Sequence, residues 1–293
     1  MFVVFLQQFI NGLNSGSIYA LIAIGYTLVY GILKLINFAH GEIMMFGAYF
    51  AFIAATTLNW PFWAVIAFSM ILTAVMGVVI EFIAYRPLRN APRLSALITA
   101  IGVSMFLQNL ALMIFGADPK VMPKIFPQVV FHVGGLEINS ITLITIGLSV
   151  LFMILLELFI QKTKQGRAMR AVSENQNAAI LMGINVNRTI SLTFLIGSAL
   201  GALGGILYST AYLNIAPTMG TMPGLKAFVA AVLGGIGSVP GAMLGGFIIG
   251  MIETMTKAYI SSTWADAIVF LVLIVVLLFK PTGILGKNTR EKV

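Results

Sequence analysis

Long apolar runs dominate this chain and leave it few polar residues with which to cover a water-exposed surface. Of its 293 residues, 59% are hydrophobic and only 9% are charged, whereas a soluble domain carries about 25% charged residues. A membrane-spanning helix needs about 20 mostly apolar residues, and the chain contains many such runs. Transmembrane barrels are built instead from short alternating strands. The sequence therefore predicts an all-α polytopic membrane protein.

The apolar runs predict about eight transmembrane helices and one short or re-entrant Gly-rich segment within a single transmembrane domain, residues 1–293. The predicted spans cover about residues 5–33, 43–58, 63–85, 95–115, 141–160, 190–212, 241–257 and 265–279. The short segment is Leu225–Ile236, which runs into the sequence GGIGSVPG. The residues predicted to break the helix there are Gly235, Gly237, Pro240 and Gly241. Interrupted helices are typical of transporters.

Basic residues are concentrated in three segments, Arg86–Arg93, Lys162–Arg188 and Lys280–Lys292. Connecting segments rich in Lys and Arg stay in the cytoplasm, so all three are predicted to lie there. Three spans precede the first segment, which places the N-terminus outside and leaves the C-terminus cytoplasmic. The sixth span then ends outside, and the two remaining spans alone cannot bring the C-terminus inside. The short segment Leu225–Ile236 must therefore also cross or re-enter the membrane. The net charge of +8 is explained by these loops, and no nucleic-acid partner is expected.

The longest polar interruption, residues 161–189, contains the signals of a short helix. Ser173 followed three residues later by Gln176 is a capping-box arrangement, which predicts a helix over Glu174–Met182. Gly183 is expected to close this helix in a left-handed conformation. The interruption is therefore predicted to be a structured cytoplasmic loop.

A shorter helical piece, Gly166–Val172, is predicted before that helix. One apolar face is expected from the helical spacing of Met169, Val172, Ala179 and Met182. The residues expected on the opposite face are Arg167, Arg170, Glu174 and Asn177. An apolar face with a charged rim predicts a docking site for a soluble partner, and a helix lying on the membrane surface is the alternative.

Three stretches of this sequence resemble one known family of transporters. The run GRAMRAVSENQNAAILMGINVNR resembles the cytoplasmic coupling loop of ABC-importer permeases. The stretches GYTLVYGILKLINFAHGEIMMFGAY and AAVLGGIGSVPGAMLGGFIIG resemble permeases of branched-chain amino acid importers, of the LivH/BraD type, and the resemblance covers essentially the whole chain. The residues it assigns to ATPase coupling are Gly166, Arg167, Arg170, Glu174, Asn175, Ala178, Ala179 and Gly183.

The resemblance implies a permease subunit of a bacterial inner-membrane ABC importer that translocates Leu, Ile and Val. It implies a second homologous permease, two ABC ATPase subunits that dock on the coupling loops, an extracytoplasmic substrate-binding protein, and contact with membrane lipid. ATP and Mg would lie on the ATPases, so no cofactor is expected on this chain. Permeases for urea and short-chain amides in the same family remain an alternative. A stand-alone secondary carrier or channel is the alternative from another class.

The chain lacks a complete motif for ATP hydrolysis or other enzymatic chemistry. The tail GILGKNT is similar to a P-loop, which needs Gly, four residues, and then Gly-Lys-Ser/Thr. Position 281 is Pro and position 288 is Asn, so the motif fails. The chain has no Cys and only two histidines, His40 and His132, and no metal site is expected. His40 and Glu42 are predicted to cap the second helix at a membrane interface.

Mild polar residues inside the spans are candidates for the translocation path, with ordinary helix–helix hydrogen bonding as the alternative. These residues are Asn11, Asn14, Ser17, Thr27, Gln108 and Asn109. No clear buried carboxylate is predicted in the middle of a span. Glu81 and Glu157 are assigned to interfaces, and Glu253, Lys226 and Asp266 are expected to be solvated charges near the outer side.

Overall fold

A computed structural model of the chain describes residues 2–89, 91–127 and 129–286. Within them the helices are α1 Phe2–Leu33, α2 His40–Thr56, α3 Phe62–Ile80, α4 Arg93–Phe115, α5 Ser140–Lys162, α6 Lys164–Glu174, α7 Gln176–Leu181, α8 Val186–Tyr212, α9 Thr221–Gly234, α10 Val239–Tyr259 and α11 Ala265–Phe279. A hairpin of strands β1 Val130–Val133 and β2 Leu136–Asn139 precedes α5. Nine helices coincide with the eight predicted spans and the short segment, which confirms the all-α architecture.

Six of the helices in the described residues are long and apolar enough to cross a membrane. They are α1, α3 with the π-helical and 3-10 turns that extend it to Leu88, α4, α5, α8 and α10. The helices α2, α9 and α11 are apolar but shorter, with 17, 14 and 15 residues. At 1.5 Å per residue, α9 extends about 21 Å, which is less than the roughly 30 Å hydrocarbon core. The prediction of a short segment here is confirmed.

The central helix of the bundle is α1, in which every residue from Gly16 to Val29 is buried. A helix that is apolar on all sides is expected in the core of a bundle rather than at its surface. It packs along α10 through facing glycines, because a β-carbon on Gly250 would collide with the backbone of Gly16. Small residues allow this close approach, which compensates for the weak hydrophobic driving force between helices in lipid.

The basic segments meet at one end of the bundle. Arg89, after α3, donates a hydrogen bond to Asn187 at the start of α8 (2.5 Å). Gln176 on α7 donates to the Ile32 carbonyl near the end of α1 (3.5 Å). Close to the same end of α1, the N–H of Leu285 donates a hydrogen bond to the Gly234 carbonyl at the end of α9 (2.9 Å). The three segments therefore share one side, and their assignment to the cytoplasm stays a prediction. The basic residues of the tail beyond residue 286 lie outside the described residues.

The structure ends α9 at Gly234 and begins α10 at Val239, so Gly235 and Gly237 lie between the helices, whereas Pro240 and Gly241, also predicted to break the helix, lie in the first turn of α10. Gly235 and Gly237 adopt left-handed φ values of 106° and 94°, which residues with a β-carbon rarely adopt. Ser238 then caps α10 by accepting a hydrogen bond from the N–H of Gly241 (3.2 Å). Pro240 lies in the first turn of α10, where its missing N–H costs no helical hydrogen bond. The chain therefore reverses direction between two packed helices.

Candidate functional site

The polar loop of residues 161–189 contains two helices, α6 and α7, where the sequence predicts a short piece, Gly166–Val172, followed by the main helix, Glu174–Met182. Ser173 lies inside α6 and donates to the Arg170 carbonyl (2.7 Å), so the predicted capping box is wrong. Asn175 caps α7 instead, with its side chain accepting from the N–H of Ala178 (3.0 Å). Asn is as good an N-cap as Ser, and its extended backbone ends α6 at Glu174. The helix predicted over 174–182 is therefore shifted and shortened.

Gly183 closes α7 as predicted, with φ at 77°. Its N–H donates to the Ile180 carbonyl (2.9 Å), and the N–H of Ile184 donates to the Ala179 carbonyl (3.0 Å). These two bonds form a Schellman motif. Asn175 and Gly183 together fix both ends of a helix that is too short to be stable by itself.

The predicted apolar face is correct for α6 but wrong at the end of α7. Met169, Val172 and Ala179 are at most 3% exposed, whereas Met182 is 81% exposed. The bend at Asn175 interrupts the helical periodicity, so residues on either side of it do not share one face. Gly166, in the first turn of α6, packs so closely on the end of α5 that a β-carbon would collide with the backbone there.

The end of α7 is an apolar tip formed by Ile180, Leu181 and Met182, which are 58%, 88% and 81% exposed. Five residues of the same loop for which a coupling role is predicted are also exposed, the polar Arg167, Arg170, Glu174 and Asn175 and the small Ala178. Three adjacent exposed apolar side chains in an otherwise polar loop are a feature of interaction sites. The loop therefore presents a small apolar knob on a helix pair whose other face is anchored to the bundle.

The predicted path residues do not form one continuous group. Ser17 and Asn109 donate to carbonyls of their own helices (2.7 and 2.8 Å). Asn14 and Thr27 each have a buried side-chain oxygen without a hydrogen-bond partner in the described residues. None of these four residues lines the cavity beside Asn11 or the cavity beside Glu42, and their role in the path stays a prediction.

Asn11 lies at a cavity of about 320 Å³ near the hairpin end of the bundle. The hairpin marks this end because Gln7 exchanges two hydrogen bonds with the backbone of Glu137 (2.9 and 3.0 Å). The cavity is lined by Gln8, Asn11, Ser15, Tyr212, Thr254, Lys257 and Ala258. Its polar walls suit hydrated small molecules on that side of the bundle.

Helix α2 begins inside the protein, so the predicted interfacial position of His40 and Glu42 is wrong. These residues are 1% and 2% exposed. The His40 ring packs beside Gly25 of α1 and Gly201 of α8, and Gly25 lies about 12 Å before the end of α1. Neither side chain caps the helix, whose N-cap is Ala39 without a side-chain hydrogen bond. The irregular segment before α2 is tolerated at this depth because it is surrounded by protein.

The N-termini of α2 and α9 meet beside Glu42. A β-carbon on Gly41 would collide with the Gly220 carbonyl, and one on Gly220 would collide with the Gly41 carbonyl. Thr221, the first residue of α9, donates to Glu42 Oε1 (3.3 Å), and Ser104 of α4 lies 3.5 Å from the same oxygen. Glu42 Oε2 has no hydrogen-bond partner in the described residues. This carboxylate is therefore buried but incompletely satisfied.

Glu42 lines a cavity of about 170 Å³ between α1, α2, α4 and α9. Its walls are mainly apolar and are formed by Tyr26, Phe38, Gly41, Ile101, Ser104, Met105, Gly220, Thr221, Gly224 and Leu225. Gln108, a predicted path residue, is linked to it through a 3.4 Å hydrogen bond to Thr221. Sequence reasoning missed this site because the break before His40 was interpreted as an exit from the membrane. A carboxylate within apolar sequence was the available signal.

A second buried carboxylate, Glu253, belongs to an ionic cluster that joins four helices. Lys226 contacts Glu253 (2.9 Å) and Asp266 (2.6 Å), while Lys257 and Tyr19 donate to Glu253 (2.5 and 2.6 Å). Glu253 is 2% and Lys226 6% exposed, so the prediction of solvated charges is wrong for both. The long apolar stem of Lys226 and its two acidic partners make burial tolerable.

Two further carboxylates lie at the end of the bundle that carries the basic segments. Glu81 is fully buried, pairs with Arg89 and accepts from Ser191 (2.7 Å). Glu157 is half-buried and bonds with Gln161 on its own helix. Their location near the basic segments fits the interfacial prediction, but Glu81 is enclosed by protein rather than by solvent.

Comparisons with known proteins agree over the whole length of the chain. Residues 8–278 match the family described as branched-chain amino acid transport system / permease component. The chain is 46% identical over 305 residues to the high-affinity branched-chain amino acid transport system permease protein LivH of Salmonella typhimurium, covering 100% of this chain and 99% of the relative. It is 47% identical over 301 residues to the permease protein BraD of Pseudomonas aeruginosa, covering 99% and 98%.

Among solved structures, PsaBC from Streptococcus pneumoniae in complex with Fab has a chain that matches with a TM-score of 0.50. The sequence identity is 13%, and the match covers 95% of this chain and 92% of the other. At this identity the likeness concerns the fold alone. From the family match and the two full-length similarities, the chain belongs to the family of permease components of branched-chain amino acid transport systems.

Proposed function

We propose that this chain is a multi-pass inner-membrane permease subunit of an ATP-driven importer that translocates branched-chain amino acids. The observation that carries the proposal is the 46–47% identity, over essentially the whole chain, to LivH and BraD. That similarity favours amino acids over urea and short-chain amides, and it favours an importer subunit over a stand-alone carrier or channel.

The chain acts without an ATPase site of its own, so ATP and Mg are held by two ABC ATPase subunits. The apolar tip Ile180–Met182 is the docking element for these subunits. An amphipathic helix inserted into an apolar groove is a common recognition mode, and a tip that is 58–88% exposed is available for it. The surrounding charged residues provide the polar rim that is typical of an interface.

Movement of the docked loop reaches the bundle through contacts with α1. Gln176, at the start of α7, bonds to the Ile32 carbonyl (3.5 Å), and α6 packs against α1 and α8. Because α1 is the central helix, a displacement of α6 and α7 changes the position of the helix that contacts most others. This route would convert closure of the ATPases into opening of the pathway on the other side.

A second permease, the surrounding lipid and a binding protein complete the proposed importer. A second homologous permease and membrane lipid cover the exposed apolar faces of α4 and α5, which include Ile98, Met105, Phe106, Leu151 and Leu155. An extracytoplasmic binding protein delivers the amino acid at the end that carries the hairpin. The partners themselves follow from the family. The position of the binding protein follows because the hairpin lies at the end of the bundle opposite the coupling loop.

The experiment that tests this function is uptake into proteoliposomes containing the permease pair, the ATPases and the binding protein. ATP-dependent accumulation of labelled leucine, reduced by excess isoleucine or valine but not by urea, is expected. Accumulation of urea in place of leucine, or uptake that persists without ATPase subunits, would contradict the proposal.

A substitution in the apolar tip tests the docking role of α7. Leu181→Asp is expected to reduce ATP-dependent uptake by at least about tenfold, because loss of a central apolar contact typically costs 1–2 kcal/mol or more of binding. Asn177→Asp places the same charge on an exposed residue of the same helix and is the matched control. Retention of the ATPases during purification of each variant gives the direct measurement. Equal retention with Leu181→Asp and wild type would show that the tip is not the docking element.

A further inference from the structure

We propose that the Glu42 cavity is a transient binding site for the ammonium group of the translocated amino acid. This inference rests on the proposed function, because it assigns a position to the cargo of that importer. It concerns a site away from the loop of residues 161–189.

The Glu42 carboxylate is buried without a charged partner in the described residues. Burial of an ionised carboxylate is costly unless it is paired, and Glu42 is 2% exposed. Its contacts are two long hydrogen bonds to Oε1, from Thr221 and Ser104, and Oε2 has none among the described residues. No Lys, Arg or His in the described part of the chain forms a salt bridge with it. A positively charged ligand would supply the missing partner.

The cavity around Glu42 is small and mainly apolar. Apolar side chains such as Phe38, Ile101, Met105 and Leu225 form most of the wall, and they suit a branched aliphatic side chain. The volume of about 170 Å³ is smaller than the roughly 300 Å³ at the lower end of drug-sized pockets. The site therefore suits a small amine with a short apolar tail better than a large or strongly hydrated solute.

Two helix N-termini lie beside the Glu42 carboxylate. Gly41 and Thr221, in the first turns of α2 and α9, both line the cavity. Helix N-termini carry partial positive charge, and interrupted membrane helices direct such ends at anionic groups of substrates. In this one small cavity the ammonium group of a zwitterion lies beside a negative carboxylate, and its own carboxylate lies beside two positive helix ends.

The test uses a cysteine at the cavity, because the natural chain contains none. Ser104→Cys is introduced into the full transporter, with other subunits free of reactive cysteines, and its modification by a small water-soluble thiol reagent is timed. Ser95→Cys, in the first turn of the same helix and outside the cavity lining, is the matched control. The probes are leucine, 3-methylbutylamine, 4-methylpentanoate and sodium chloride.

Leucine and 3-methylbutylamine are expected to slow modification of Cys at 104 by about tenfold at concentrations near ten times Kd, because only empty sites react. They should not affect the control position. The carboxylate probe without an amine should give no protection. Equal protection by 4-methylpentanoate, equal protection by sodium chloride, or no protection by either amine would overturn the proposal.

Glu42→Gln, combined with Ser104→Cys, examines the carboxylate directly. Replacement of a charged hydrogen-bond partner by a neutral one should weaken protection by the amine about 10- to 100-fold. Unchanged protection in this variant would overturn the assignment to Glu42. Uptake of leucine by the wild-type importer is measured in parallel. If that uptake occurs without amine protection, the proposed function stands and only this inference fails.

Discussion

Two carboxylates are buried to the same degree in this protein but differ in their surroundings. Glu253 and Glu42 are each 2% exposed. Glu253 has Lys226, Lys257 and Tyr19 at 2.5–2.9 Å, whereas among the described residues Glu42 has only Thr221 and Ser104 at 3.3–3.5 Å. The same side chain is therefore part of a complete ionic network in one place and a partly unpaired group beside a cavity in the other.

This difference indicates which of the two carboxylates stabilises the fold and which is available for a ligand. A buried ion pair that loses one member leaves an uncompensated charge, and this is strongly destabilising. A buried polar group that is only partly satisfied contributes little to stability and is explained more readily by function. Mutations at the two positions should therefore separate stability from transport.

The largest effect is expected from Glu253→Gln. The substitution leaves Lys226 buried with Asp266 alone, and breaking a buried pair in this way costs about 3–5 kcal/mol. Chemical or thermal unfolding in detergent measures the loss. Glu157→Gln is the matched control, because this half-buried carboxylate accepts a hydrogen bond from Gln161 on its own helix. A loss for Glu253→Gln no larger than that of the control would remove the structural role assigned to the cluster.

A smaller effect is expected from Tyr19→Phe, which removes one donor to Glu253 and leaves the ion pairs intact. The hydrogen bond is 2.6 Å long and connects α1 to α10. A hydrogen bond to a charged group contributes about 1.5–3 kcal/mol, so the free energy of unfolding should fall by this amount. An unfolding transition identical to that of wild type would mean that the lysines alone satisfy Glu253.

The smallest effect on stability is expected from Glu42→Gln. The change keeps the size of the side chain, breaks no ion pair and removes a buried charge, so the free energy of unfolding should change by less than about 1 kcal/mol. Uptake of leucine should nevertheless fall severalfold or more. The contrast between the two carboxylates would be lost if Glu42→Gln unfolded as readily as Glu253→Gln and transport by the folded fraction were unchanged.

Local signals made the polar loop of residues 161–189 predictable to within a few residues. The end of α7 at Gly183 is closed by hydrogen bonds from Gly183 to Ile180 and from Ile184 to Ala179, and such contacts depend on neighbours in sequence. The error over Ser173 arose because Asn175, two residues later, is an equally good cap. A choice between two adjacent caps depends on how the second helix then packs, as the exposure of Met182 shows.

The Glu42 site was not predictable from the same kind of signal. Its partners Ser104 and Thr221 lie 62 and 179 positions away in the sequence, and no spacing rule connects them. Lys226 and Glu253 also pair across different helices. The mild polar residues were predicted without their depth in the bundle. In the described part of the chain, Asn11 lines one cavity and Gln108 bonds to Thr221 at the other.

A reader of the sequence can predict a helical membrane protein, the approximate positions of its helices and a capped helix in its longest polar loop. These properties follow from composition, hydrophobic run length and contacts within one helical turn. Tertiary packing sets the start of α2 inside the protein and the meeting of the N-termini of α2 and α9. It also leaves Glu42, unlike Glu253, without an ion-pair partner among the described residues, because burial and pairing of a charge depend on residues that folding brings together from distant parts of the chain.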